Sequence, residues 1–261
     1  RAAASVVEEA RERIAALCGA SPSGVVFTSG GTEADNLAIK GIVLAKRKEG
    51  LDHVVVSAIE HHAVLDSAKW LQSQGIRLDL APVDENGVVD VEKLEIRLTP
   101  ATALVSVMSA NNETGAIQPL AEIGEVVRER SPRAILHTDA CQAFSSREVT
   151  LHDLGADALT LSSHKIGGTQ GAGALVLADG VGLERISHGG GQELGRRAGT
   201  HNVAAIASFG LAAKLAATRR PHFVKHTSRL RDELEKRIVE ALYPVVVNAA
   251  WAERLPHISN V

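Results

Sequence analysis

The run Ala158-Leu159-Thr160-Leu161-Ser162-Ser163-His164-Lys165 passes from an apolar segment straight into a lysine. Its first four residues have the length and composition of a buried strand. Lysine is almost never fully buried without a partner. A lysine directly after such a strand therefore points to an amine used in covalent chemistry, as Schiff-base lysines are. Two other strand ends carry complementary groups. The apolar run Ala134-Ile135-Leu136-His137-Thr138 ends on Asp139, and Val25-Val26-Phe27-Thr28 leads into Ser29-Gly30-Gly31-Thr32-Glu33, a Gly-rich turn that opens a helix.

Outward from these points the chain alternates between strand-length and helix-length patterns. An amphipathic helix over 6–17 precedes the strand 25–28, and a helix over 32–48 follows it. Strand 53–56, helix 62–74, strand 77–81, a short helix near 91–97, strand 103–108 and helix 120–130 come next. Strand 134–138, a short turn at 151–154, and strands 157–161 and 173–178 complete the series. This rhythm predicts an α/β fold with a mostly parallel sheet covered by helices on both faces. The last two strands are joined by no helix-length segment, so an antiparallel hairpin is open for them. Two helical patterns, 203–217 and 222–242, then lead to a strand candidate at 245–247. A domain boundary near 219–221 divides the chain into a large domain, 1–219, and the start of a small one, 220–261.

The composition bounds the function. The 261 residues are 45% hydrophobic and 23% charged, with a net charge of -3. Such a chain has no global basic field for nucleic acid, and no apolar stretch approaches a membrane span. Two well-separated cysteines, Cys18 and Cys141, make no disulfide framework and fit a reducing compartment, so a cytoplasmic location is expected.

Ligands in open α/β sheets bind beyond the carboxyl ends of the strands, and polar residues gather there. A lysine for an aldehyde (Lys165), a carboxylate for a ring nitrogen (Asp139) and a helix start for a phosphate (Gly31, Thr32) are the three parts of a pyridoxal phosphate (PLP) site. Each has a plainer alternative. Thr32 can simply cap its helix, and Asp139 can cap the turn after it. Cys141 and Cys18 read as small packing residues. His61 and His62 lack the i, i+4 spacing of a metal pair, so no metal is expected; His62 reads as a helix-start residue and His61 as a flat ring able to stack on another. His188-Gly189-Gly190-Gly191 resembles an esterase oxyanion loop, but no Gly-x-Ser-x-Gly accompanies it.

The segments Thr28–Asn36, Glu60–Val64, Asn111-Asn112-Glu113-Thr114-Gly115, His137–Gln142, Ser162–Lys165, His188–Glu193 and Arg197-Ala198-Gly199-Thr200 together resemble the cysteine desulfurases. These are fold-type I PLP enzymes of the class V aminotransferase group, and the Asn-Asn-Glu-Thr-Gly form is similar to the iron–sulfur-assembly and nitrogen-fixation branch. The resemblance covers nearly the whole chain in order. It implies that Lys165 holds PLP and carries the proton at the substrate Cα. Asp139 would keep the ring nitrogen protonated, and Gln142 would bond the ring's phenolic oxygen. His61 would stack on the ring and serve the substrate thiol. Gly31, Thr32, Ser162 and His164 would bind the phosphate, Thr200 the phosphate of the neighbouring subunit in a homodimer, and Asn112 the substrate carboxylate. The implied reaction turns L-cysteine into L-alanine and passes sulfur, as a persulfide, towards an acceptor or iron–sulfur scaffold protein. Another class V activity (aminotransferase, epimerase or lyase) or a non-catalytic scaffold on the same fold are the alternatives.

Neither Cys18 nor Cys141 matches the family's nucleophilic cysteine, which together with the substrate arginine is expected beyond Val261; the family's N-terminal strand and Asn-Pro loop are also expected outside this sequence. A protein of these residues alone is expected to form no persulfide. Full turnover in a sulfide-release assay would contradict that.

Overall fold

The computed structural model describes residues 2–261. Seven strands, β1 (Val25–Thr28), β2 (His53–Ser57), β3 (Arg77–Ala81), β4 (Thr102–Ser106), β5 (Ile135–Asp139), β6 (Ala158–Ser162) and β7 (Gly173–Leu177), form one sheet in the order β1-β7-β6-β5-β4-β2-β3. The pairs among β2, β3, β4, β5 and β6 are parallel. β7 runs antiparallel to both β6 and β1, so the hairpin alternative holds. With only residues 163–172 between β6 and β7 and no α-helix among them, a parallel return is out of reach.

The continuous apolar runs are explained by two cores. Successive side chains of a strand point to opposite faces. Val25, Phe27, Val55, Val105, Leu136, Leu159 and Val176 enter one core, whereas Val26, Val54, Val56, Leu104, Ala158 and Leu175 enter the other. The first is covered by α1 (Ala2–Cys18), α6 (Leu120–Arg130) and the start of α7 (Val203–Ala241), through Ile14, Ile123 and Phe209. The second is covered by α2 (Gly31–Asn36), α3 (Val43–Arg47) and α4 (His62–Ser73), through Ala34, Val43, Val64 and Leu71. Each fully buried Val or Leu is worth roughly 1.5–3 kcal/mol. A one-residue slip would exchange the two faces of a strand, so the register is strongly held. The short α5 (Val91–Glu95) begins at Asp90, whose side chain accepts from Lys93 N. No helix among the described residues is long and apolar enough to cross a membrane.

Three expectations change. The helix expected over 32–48 is α2 and α3 joined by a π-helical segment, Leu37–Ile42. A Cβ on Gly41 would lie 2.6 Å from Glu184 O, and Glu184 N donates to Gly41 O at 3.0 Å; the loop after β7 thus packs directly on the widened turn. The patterns 203–217 and 222–242 are one helix of 39 residues that passes through Pro221, the position at which the sequence suggests a boundary. Proline removes one intrahelical donor, but the second half of α7 is pinned by tertiary bonds. Arg231 Nη1 donates to Leu255 O at 3.0 Å, and Arg254 grips Glu235 with both Nη atoms at 2.7 and 2.9 Å. Residues 245–247 form no strand, because none of the seven strands runs beside them.

Candidate active site

Alternation along β5 and β6 sets the site. Ile135, His137 and Asp139 share one parity and Ala158, Thr160 and Ser162 another, and Ile135 and Ala158 both pack into the core under α2. Asp139 and Ser162, at the carboxyl ends of their strands, therefore finish on that same side, facing the start of α2. There they bound a cavity of about 250 Å3.

Five segments close around it. The start of α2 contributes Gly31, Thr32 and Asp35; the β2–α4 connection contributes His61; the segment after β4 contributes Met108, Ala110 and Asn112. Asp139, Cys141 and Gln142 come from the end of β5, and Ser162, His164 and Lys165 from the end of β6. The residues expected on one ligand thus meet in one cavity, with the exception of Thr200, which is exposed and lies outside it. Lys165 differs from its sequence expectation in one respect. It is exposed, on a 3-10 turn (Ser163–Ile166) just past β6. Its burial is not what marks it; its place on the cavity wall is.

The local bonds explain how each group is held. A Cβ on Gly31 would stand 3.0 Å from Cys141 Sγ and 3.5 Å from Ser162 Cβ, so a side chain there would crowd the end of β5 and glycine leaves the first turn of α2 open as a cradle. Gly30 is the N-cap and Thr32 lies inside the first turn on the cavity wall, so Thr32 is not the cap. Ser162 Oγ and His164 Nδ1 are 3.0 Å apart, and both stand on the cavity wall with Gly31 and Thr32. These are donors of the kind a phosphate takes. His61 is the N-cap of α4, and its Nδ1 accepts from Ala63 N at 3.1 Å. That bond puts the proton of the neutral ring on Nε2, so in this state Nε2 donates. Asn111 is consumed by its own loop, accepting from Glu113 N and Thr114 N at 2.9 Å, which leaves Asn112 to the cavity.

Asp139 is both a turn cap and a cavity residue. Its Oδ1 accepts from Cys141 N at 2.9 Å. Burial pushes its carboxyl above the ordinary range, while that backbone bond and the nearby His61 and Lys165 favour the charged form. A cation arriving in the cavity would favour it further. The Cys141 thiol is raised well above its usual value by burial and by the neighbouring Asp139, so it stays protonated and inert as a nucleophile. Cys18 is buried and pushed up to about 12.

Two buried acids carry no role in the sequence reading. Glu60 Oε1 accepts from Ser57 Oγ at 2.5 Å and from Met108 N at 2.6 Å, and burial lifts its carboxyl to about 8. It ties the β2–α4 connection, and so His61, to the end of β4. Asp35 is 1% exposed on the floor of the cavity. Its signal was available: it sits three and four residues from Thr32 and Gly31, on the helix face they share, next to the buried Ala34.

A third acid anchors the loop that carries Thr200. Glu193, buried, accepts from Arg11 Nη1 and Nη2 at 2.8 and 2.9 Å and from Phe27 N at 2.8 Å, and also contacts His201 Nε2. Arg197 holds the same loop to Glu33 at 2.8 Å. Burial works to raise Glu33, but the Arg197 and Ser29 bonds hold it below its usual value.

The sequence profile described as aminotransferase class-V matches residues 1–261. The chain belongs to the class-V aminotransferase family. This class-V chain is 42% identical to cysteine desulfurase IscS of Clostridium botulinum (strain Hall) over 256 residues, which are 97% of the chain and 64% of that protein. It is 42% identical over 259 residues to cysteine desulfurase IscS 1 of Archaeoglobus fulgidus, covering 99% of the chain and 66% of the relative. The chain therefore spans just under two thirds of the length of these curated relatives. Among solved structures, a NifS-like protein superposes with a TM-score of 0.93 at 34% identity, over 97% of this chain and 69% of its own. DndA from Streptomyces lividans superposes with a TM-score of 0.90 at 36% identity, over 98% and 72%. The class-V chain thus has the fold-type I architecture, a mostly parallel sheet with helices on both faces.

Proposed function

We propose that this chain is the PLP-binding part of a cysteine desulfurase, acting on L-cysteine. The observation that carries this is the cavity itself, which gathers an amine (Lys165), a buried carboxylate (Asp139), a flat ring (His61) and a phosphate cradle (Gly31, Thr32, Ser162, His164) within about 250 Å3. The cysteine desulfurase names of relatives at 42% identity support the choice of substrate.

The residues present fit the cofactor. The Gly31 cradle is open to a phosphate, and the buried carboxylate of Asp139 suits a protonated ring nitrogen. When bound, PLP supplies an electron sink for the pair released at the substrate Cα. Lys165 holds the cofactor through its amine and moves the proton at Cα. Asp139 keeps the ring nitrogen protonated, and Gln142 bonds the phenolic oxygen. His61 lies against the ring, and with its proton on Nε2 it is set to donate towards the substrate; to act as a base on the thiol through Nε2 it must first take the other tautomer, with its proton on Nδ1, and give up the Ala63 bond. Asn112 orients the substrate carboxylate. Thr200, exposed outside its own cavity, serves the phosphate of a second copy, which makes the working enzyme a homodimer. Residues 1–219 form the cofactor domain and 220–261 the start of a smaller one. Sulfur leaves to an acceptor or iron–sulfur scaffold protein in the cytoplasm.

The test is a PLP titration followed by visible absorption. Addition of PLP produces a band bound to the protein, and L-cysteine then changes it. A protein that takes up no PLP, or whose band responds to other amino acids and not to L-cysteine, overturns the assignment.

A further inference from the structure

Asp35 is the least explained group in the cavity. Its side chain is buried on the floor, and no donor reaches its Oδ1 in hydrogen-bond geometry among the described residues. The nearest nitrogen, His137 Nε2, is 3.8 Å away. That imidazole is already committed within a row across three strands. Ser106 Oγ lies 2.9 Å from His137 Nδ1, and His137 Nε2 lies 3.1 Å from Thr160 Oγ1. His137 is neutral, because burial lowers it to about 3, so it brings no charge to Asp35.

The surroundings do not supply a countercharge either. β5 and its end present Asp139, His137 and Cys141, and the β2–α4 connection presents Glu60 and His61. The turn after β6 presents His164 and Lys165, both exposed. On α2 itself, Glu33 is turned to Arg197 and Ser29. Lys40, on the adjoining π-helical segment, bonds Asn36 and lies over Trp70. On α4, His62, Asp66 and Lys69 stand in solvent. β1, β6 and β7 bring no titratable side chain to it. A buried carboxylate with one oxygen left without a donor is costly, whereas the neutral acid needs fewer partners and carries a donor of its own. Burial and the neighbouring Asp139 both push Asp35 well above the carboxylate range, against the Thr160 hydroxyl.

We propose that Asp35 is a positioning residue of this site, a neutral carboxylic acid that limits the cavity floor to one negative charge and leaves that charge on Asp139. What the charge is for, pairing with one ring-nitrogen proton, rests on the PLP assignment; the charge state itself does not.

The linkage has a definite sign. The unfolded Asp35 ionises near pH 4 and the folded one only at higher pH. Asp35's own contribution to wild-type stability therefore falls with rising pH from about pH 4 until the folded carboxyl ionises. Asp35→Asn removes that loss. Melting of the cofactor-free proteins is expected to show the gap between Asp35→Asn and wild type shifting in favour of the variant by about 2–4 °C or more between pH 5 and pH 8. A gap that stays constant with pH is what a purely structural role gives, and it overturns the proposal. Should Asp35→Asn not melt cooperatively, the pH slope of Asp35→Ala decides in the same way. PLP titration at pH 7 provides the second readout: Asp139→Asn weakens binding tenfold or more and Asp35→Asn less than threefold. An equal loss in both means the floor needs two anions, which also overturns the proposal. If wild type itself takes up no PLP, the cofactor assignment fails, while the melting slope still decides the state of Asp35.

Discussion

Lys165→Ala is expected to leave a protein that melts like wild type yet shows no PLP-derived visible band surviving gel filtration. Any PLP-dependent turnover falls by about 10^3-fold or more. The two halves of this result follow from different observations. Lys165 is exposed on its 3-10 turn and makes no hydrogen bond or ion pair among the described residues, so truncation stays within the usual ±0.5 kcal/mol of a surface change. Its chemistry cannot be replaced, because no other lysine lines the cavity. Persistence of the band in Lys165→Ala would place the covalent link elsewhere. A large drop in melting temperature would show that Lys165 has a structural role absent from its contacts.

Glu193→Ala is expected to give the largest loss of stability of any single change around the site. Its carboxylate joins Arg11 on α1, the backbone of β1 at Phe27, and His201. Removing it strands a partly buried guanidinium and a buried N–H at once. Breaking one side of a buried ion pair costs about 3–5 kcal/mol, which for a chain of this size is a fall of roughly 6–20 °C in melting temperature. Glu193 also adopts φ 48°, in the left-handed region, with Leu194 at φ 56° after it. The network holds the loop in that conformation, so the loop carrying Thr200 loosens with the variant. Burial alone would raise the Glu193 carboxyl, but its bonds to Arg11 and Phe27 N hold it below the ordinary value. A depressed folded pKa gives stability that is present above the unfolded pKa and lost as pH falls through the folded one. The gap between wild type and Glu193→Ala is therefore widest near neutral pH and closes below about pH 4. Calorimetry across pH 3–8 checks both size and slope; a gap of less than about 1 kcal/mol at pH 7 contradicts the role assigned to Glu193.

Local pattern made much of the molecule legible. Runs such as His53–Val56 and Ala158–Leu161 read as strands because both faces of a central strand are covered, and the residues that follow each run fall at one edge of the sheet. The cavity residues were recognisable for the same reason: Asp139, Ser162 and Lys165 lie at strand ends, where chemistry gathers in this architecture. Pro221 misled, since a proline in a helical pattern signals a break, and the contacts that carry α7 past it come from residues 231–259. Asp35 and Glu60 escaped because a carboxylate in sequence looks solvated. Only packing shows that each is enclosed with one oxygen unpartnered.

By itself the amino-acid order determined the alternation of strands and helices, the polar groups at the carboxyl ends, and the glycine that opens the phosphate cradle. These depend on residues near one another along the chain, through period, spacing and backbone freedom. The tertiary structure alone decided which way β7 runs, that α7 is unbroken, that Lys165 is exposed, and that Asp35 and Asp139 line one desolvated cavity with Glu60 buried close enough to couple to both. Each of these depends on what distant segments place around a group, and burial and charge coupling act through space rather than along the chain.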